Sequence, residues 1–261
     1  MLIVVSPAKA LDFESSLPTR KFSEPEMLDR SQELVGVMAN KTPDELSRMM
    51  SISPQLGELN FERFQDWTLP FTPENARPAV LAFNGDTYVG LDVRGSFSER
   101  DYSHAQKVLR ILSGLHGVLR PLDLIQPYRL EMGSKVDTDR GRTLYDFWGD
   151  DVTERLNADL AASPGAKVLV NLASQEYFSV VRPDRLDARI VAPRFLDARG
   201  DGEHKIVSFF AKRARGAMAS WIIRERVTSA KRLVEFDADG YRYDESRSTP
   251  DEPTFTRRLD A

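Results

Sequence analysis

The sequence predicts an α/β fold: a single compact domain over residues 1–261, with a mixed sheet surrounded by helices. Three observations predict it. Short apolar runs of strand length, such as Leu2–Val5 and Lys167–Leu172, are scattered among longer amphipathic stretches. These runs do not keep the regular strand–helix–strand period of a doubly wound sheet. Hydrophobic residues make up 41 % of the chain and charged residues 29 %, the balance of a globular protein with a real core, and no repeat, low-complexity tract or long linker divides it.

The elements follow in order. Leu2–Val5 is rich in β-branched residues and stops at Ser6-Pro7, as a buried first strand does. Glu24–Leu59 is helical in character, with breaks at Thr42-Pro43 and Ser53-Pro54, where Thr42 and Ser53 cap a following helix that starts on proline. Ala79–Phe83 reads as a second strand running into Asn84-Gly85-Asp86. Ser98–Leu112 reads as a helix, with Ser98 as cap, Asp101 three residues on, and Ala105, Val108, Leu109 and Leu112 on one face. Thr143–Leu160 reads as helical with a break at Gly149, and Lys167–Leu172, Arg189–Leu196 and Lys205–Phe209 as strands. Phe210–Val227 is the strongest helix, and Leu233–Phe236 with Tyr241–Tyr243 flank Asp239-Gly240 as a closing hairpin.

Several chemistries find no support. There is no cysteine, hence no disulfide and no thiolate. His104, His116 and His204 lack metal-ligand spacing, and neither a zinc-protease helix, a Walker loop nor a nucleophile elbow is present. No metal and no cofactor are expected. No segment approaches the roughly 20 apolar residues that cross a bilayer, and the N-terminus lacks the basic flank of a signal peptide. A cytoplasmic protein with no membrane partner is expected.

The net charge of −4 argues against simple attraction to nucleic acid, but the charge is separated along the chain. Lys205–Arg232 holds eight basic residues against the single acid Glu225, and Asp237–Asp260 holds seven acids. His204 and Lys205 precede the helix on which Lys212, Arg213 and Arg215 lie. At 100° per residue, Phe210, Ala214, Ala217, Met218, Trp221 and Ile222 form its apolar stripe. Lys212, Arg215 and Arg226 fall on the opposite arc, with small Gly216 and Ala219 between the charges, which would let a phosphate backbone come close. The plainer reading is a solvated basic face.

Three further stretches carry polar groups where ligands bind. Ser6-Pro7-Ala8-Lys9 follows the first strand, where Lys9 can pair with a phosphate and Ser6 can donate to one; the alternative is a proline turn with a surface lysine. Leu112–Gly133 places Gly114 and Gly117 past a helix, where outward amides hold a phosphate, with Arg120 and Arg129 as forked donors. A helix-hairpin-helix grips DNA backbone in this way; the alternative is a glycine C-cap and a loop. Asn171 and Ser174 end a strand or cap a helix, and Glu176 is either a general base or part of the cap.

Taken together these stretches resemble the bacterial YaaA-type peroxide-stress proteins. The likeness rests on Ser6-Pro7-Ala8-Lys9, Phe71–Arg77, Leu81–Phe83 with Gly85-Asp86 and Tyr88, and the whole of Leu112–Gly133. It continues through Leu144-Tyr145 with Phe147–Gly149, Asn171–Ser174 with Glu176–Phe178, and Ser208-Phe209 with Ala211-Lys212 and Arg215-Gly216, and so spans the chain. The resemblance implies a cytosolic stress protein that limits free intracellular iron and oxidative damage. It also implies a family-specific fold with a helix-hairpin-helix-like element at Leu112–Val118 and a basic cleft for double-stranded DNA. That cleft would draw on Lys9, Arg120, Arg129, Lys205, Lys212, Arg213 and Arg215. A protein binding DNA backbone without sequence specificity is the first expectation. The alternative is an enzyme on a nucleotide-like phosphorylated small molecule, with Lys9 and Glu176 as candidate catalytic residues beside Ser6, Asn171 and Ser174.

Overall fold

The computed structural model describes residues 1–259. A five-stranded sheet forms the centre, in the order Gly117–Leu119, Leu109–Ser113, Leu2–Val5, Val168–Leu172, Arg189–Val191. The first strand lies in the middle and is parallel to both neighbours, Val4 standing opposite Arg110 on one side and Asn171 on the other. All four of its residues are buried, which is why the run is apolar throughout rather than alternating. The antiparallel edge strand Gly117–Leu119 makes the sheet mixed. A second, three-stranded sheet pairs Arg194–Arg199 in parallel with Thr254–Leu259, which in turn pairs antiparallel with Arg242–Tyr243. Phe195, Phe236, Tyr241 and Phe255 pack ring on ring beside it.

The helix starts follow their local chemistry. Leu28–Ala39 is succeeded by Pro43–Met50 and Pro54–Asp66, each of the latter two opening on proline. Thr42 and Glu45 close a reciprocal capping box, and Ser53 accepts from the amide of Leu56. Ser98 with Asp101, and Thr143 with Asp146, repeat the box at the starts of Glu99–Val108 and Leu144–Trp148. Gly149, at φ 49°, separates that last helix from Asp151–Ala162. None of the helices among the described residues is long and apolar enough to cross a membrane.

Five expectations are corrected. Ala79–Ala82 is a buried helical turn, not a strand; a short apolar run has no period long enough to tell the two apart. The helix beginning at Glu99 stops at Val108, and Leu109–Ser113 continues as a strand. Ala105, Val108, Leu109 and Leu112 are all buried, but only the first two are helical. Leu112–Val118 is therefore not the hairpin of a helix-hairpin-helix: it is a β-hairpin, with Leu112 opposite Val118 and Ser113 opposite Gly117. Lys205 touches the second sheet by one bridge to Asp197, and the long helix has begun by Ser208, so Lys205–Phe209 is no strand. Ala230–Glu235 is a 3₁₀ helix, and Arg242–Tyr243 finds its partner in Thr254–Leu259 rather than in a closing hairpin.

The long helix Ser208–Arg224 packs on the short helix Asp86–Leu91 through a pair of glycines. A Cβ on Gly216 would lie 1.8 Å from the carbonyl oxygen of Thr87, and one on Gly90 would lie 2.0 Å from that of Arg213. The small residues of the basic helix thus admit a neighbouring helix backbone. Gly216 and Ala219, expected on the outer arc, are buried.

Candidate functional site

The chain leaves the carboxyl ends of the central strands Leu2–Val5 and Val168–Leu172 in two loops that diverge around a cavity, the position where open α/β sheets hold ligands. The amide of Ser174 donates to the Oγ of Ser6 at 2.9 Å, and the Ser6 hydroxyl donates to Ser174 Oγ at 3.3 Å. The buried Tyr88 hydroxyl donates to the carbonyl of Ser6 at 3.2 Å. These bonds tie the two strand ends to the short helix Asp86–Leu91. The cavity above them measures about 470 Å³, within the usual range for a small-molecule site.

Its walls come from distant parts of the chain. Lys9 stands on the first loop; Asn84 just before the short helix and Asp86 and Thr87 in its first turn; Glu131 and Glu176 opposite; Lys212 and Arg215 on the long helix. Lys9 Nζ lies 2.8 Å from Glu131 Oε2, and Arg129 Nη2 lies 3.0 Å from Glu131 Oε1, so that carboxylate is bridged by two cations. The Glu176 carboxylate accepts from the amide of Gly133 at 3.0 Å, holding the Glu131 loop to the helix Gln175–Phe178. Lys212 and Arg215 have no carboxylate partner among the described residues. Arg215 is half-buried, and desolvation lowers the pKa of its guanidinium. An anion in the cavity would relieve that cost. Burial raises the pKa of Tyr88 and Tyr177 well above the ordinary phenol value, so both stay protonated hydroxyls.

Of the residues singled out in the sequence, Ser6, Lys9, Ser174, Glu176, Lys212 and Arg215 meet at this cavity. Asn171 stands just behind it, its Oδ1 accepting from the amide of Ala173 at 3.0 Å and shaping the turn. Arg129 reaches the cavity only through Glu131. The others lie elsewhere. Gly114 and Gly117 are buried in the β-hairpin: a Cβ on Gly114 would meet Leu130 O at 2.3 Å, and Gly117, at φ 62°, turns the chain against Trp148. Glycine is needed at both for close backbone packing and left-handed geometry, so neither presents an outward amide. Arg120 is spent on Glu26 and on Asp123, a carboxylate only 1 % exposed. Arg213 lines a separate cavity with Phe210, Asp239, Tyr241 and Arg257, and Lys205 is exposed beside the second sheet. These residues do not gather into one basic cleft.

The residues missed in the sequence are Asn84, Asp86, Thr87 and Glu131. Asn84-Gly85-Asp86 reads as turn punctuation after an apolar run, and Glu131 as an ion-pair partner for a nearby arginine. Three polar residues directly after a buried run were the usable sign. The family model described as peroxide stress protein YaaA matches residues 1–247, and the chain belongs to that family.

Proposed function

We propose that this peroxide stress protein acts through the cavity at the strand ends, and that the cavity takes a phosphorylated small molecule. One observation carries the reading. Lys212 and Arg215 stand three residues apart on one helix, line the same cavity, and form no ion pair with a carboxylate among the described residues. A forked guanidinium and an ammonium side by side suit phosphate oxygens. Ser6 and Ser174 offer hydroxyls at the floor, and Asp86, Glu131 and Glu176 offer acceptors for sugar or base hydrogens. Lys9 and Glu176 share this cavity, so an enzyme on a nucleotide-like substrate, with Glu176 as base, has its groups within one site. The limiting of free iron that the resemblance implies would follow from that ligand or its conversion.

Titration calorimetry with nucleoside mono- and diphosphates tests this. The Lys212→Ala, Arg215→Ala double variant is expected to lose roughly 100-fold in affinity, two charge-assisted contacts at about 1.5 kcal/mol each, while keeping its melting temperature. Unchanged affinity in that variant ends the assignment.

Duplex DNA is the second reading, favoured by the exposure of Lys205, Lys212 and Arg213 around the start of the long helix. Backbone contacts of this kind weaken steeply with salt and do not depend on sequence. Fluorescence anisotropy at two salt concentrations separates the two. Salt-sensitive DNA binding that nucleotides leave intact supports the DNA reading, and displacement by a nucleotide supports the cavity.

A further inference from the structure

The helix Glu99–Val108 turns Arg100, Ser103, His104 and Lys107 to one side, at the i, i+3, i+4, i+7 spacing of a single face. With Lys21, Glu99 and Arg226 they line an open groove of about 360 Å³ that shares no residue with the cavity described above. Three parts of the chain converge here: the N-terminal arm, this helix, and the turn after the long helix.

The charges do not balance. Lys21 is paired with Glu99 at 2.9 Å, and Arg226 with Asp101 at 2.7 Å. Arg100 and Lys107 have no carboxylate partner among the described residues. They are seven residues apart, about 10 Å along the helix axis at 1.5 Å per residue. His104 stands between them and is half-buried. Burial lowers its pKa first, then the cations Arg226 and Lys107, with Asp101 opposing. Arg226 holds a left-handed backbone, φ 51°, which a non-glycine residue adopts only at a cost. Its ion pair with Asp101 holds the guanidinium against the helix face.

We propose that this groove is a second anion site, taking an extended oligophosphate along Arg100, Lys107 and Arg226. A single phosphate reaches one of the free cations. A linear chain of phosphates spans both.

The imidazole of His104 reports occupancy, because an anion beside it favours the protonated ring. The experiment is an NMR titration of the full chain with tripolyphosphate and with orthophosphate at constant ionic strength, the resonance being assigned by its loss in His104→Gln. Tripolyphosphate is expected to give a saturable shift and to raise the His104 pKa by about one unit, the size expected of a neighbouring charge. Orthophosphate should bind at least about tenfold more weakly, a difference of about 1.4 kcal/mol. Arg100→Gln with Lys107→Gln should cost at least about tenfold in the tripolyphosphate affinity read at His104, while Lys212→Ala with Arg215→Ala, which alters only the other cavity, leaves the His104 response unchanged. Both pairs are at the surface or a cavity wall, so a melting curve verifies folding in each variant. The proposal is overturned if His104 does not respond, or if the Arg100, Lys107 variant binds as tightly as the parent. Equal affinity for orthophosphate, or a response to duplex DNA but not to tripolyphosphate, overturns it as well.

Discussion

The β-hairpin Leu109–Leu119 and the first half of the long helix both combine glycine with basic or polar side chains, and they end in opposite environments. The hairpin is sealed. Every residue from Val108 to Leu119 is buried, His116 is fully enclosed, and the Trp148 indole donates to the carbonyl of Gly114 at 3.0 Å. The helix is sealed on one side by Asp86–Leu91 and open on the other, where Lys212 and Arg215 line a cavity. A glycine shows that something approaches the backbone closely, and does not by itself show what. In both regions the approaching group is another stretch of this chain. What separates them is whether charged side chains remain uncommitted beside it.

The largest expected effect tests that point directly. Gly114→Val and Gly216→Val each force a side chain into backbone that lies 2.3 Å and 1.8 Å from the new Cβ. Each should cost on the order of 4 kcal/mol or prevent folding, read as a drop in melting temperature or loss of soluble protein. If Gly114→Val melts like the parent and loses only ligand, the hairpin amides face a ligand after all and the comparison breaks. Next comes Arg120→Ala, which strands the buried carboxylate of Asp123. A loss of roughly 3 kcal/mol in urea unfolding is expected, with nucleotide affinity unchanged because Arg120 lies away from the cavity.

A smaller effect is spread over pH. Burial holds the pKa of His116 down to about 3, and its Nε2 finds no partner. The fold therefore favours neutral imidazole. That stability is complete above the unfolded pKa near 6.5 and is lost as pH falls from there toward 3, at about 1.4 kcal/mol per unit. Unfolding at pH 4.5 should show roughly 2–3 kcal/mol less stability than at pH 7 from this group, and His116→Gln should remove that part of the slope. An acid profile identical in the variant would mean that His116 is not sealed. Smallest is Thr42→Ala, which opens the capping box with Glu45 and should cost about 1 kcal/mol without touching either region.

Much of the local structure was legible in the sequence. Thr42-Pro43, Ser53-Pro54 and Ser98 with Asp101 cap helices where their spacing says they should, because a cap is a bond between residues three apart. Leu2–Val5 is recognisable as a buried strand, and Ser6, Lys9, Ser174 and Glu176 as polar groups at strand ends, because strand and loop adjoin in the chain. The route from Ser98 to Leu119 was not legible. Its apolar residues satisfy a helical face as far as Leu112, yet from Leu109 onward the pairing with Leu2–Val5 decides the conformation. The strand Thr254–Leu259 was missed altogether, since its polar, arginine-bearing run becomes a strand only against Arg194–Arg199.

The sequence by itself determined the class of fold, the helix starts that carry a side-chain cap, the family, and the fact that positive charge gathers between Lys205 and Arg232. Tertiary structure alone decided which of those charges line one cavity. Lys212 and Arg215 share a cavity with Ser6, Glu131 and Glu176, while Arg213 lines another and Lys205 stands beside the second sheet. The reason is physical. Caps, turns and short strands are set by neighbours a few residues away, whereas a binding site is set by which surfaces the packing leaves uncovered, and that depends on contacts between residues more than a hundred positions apart.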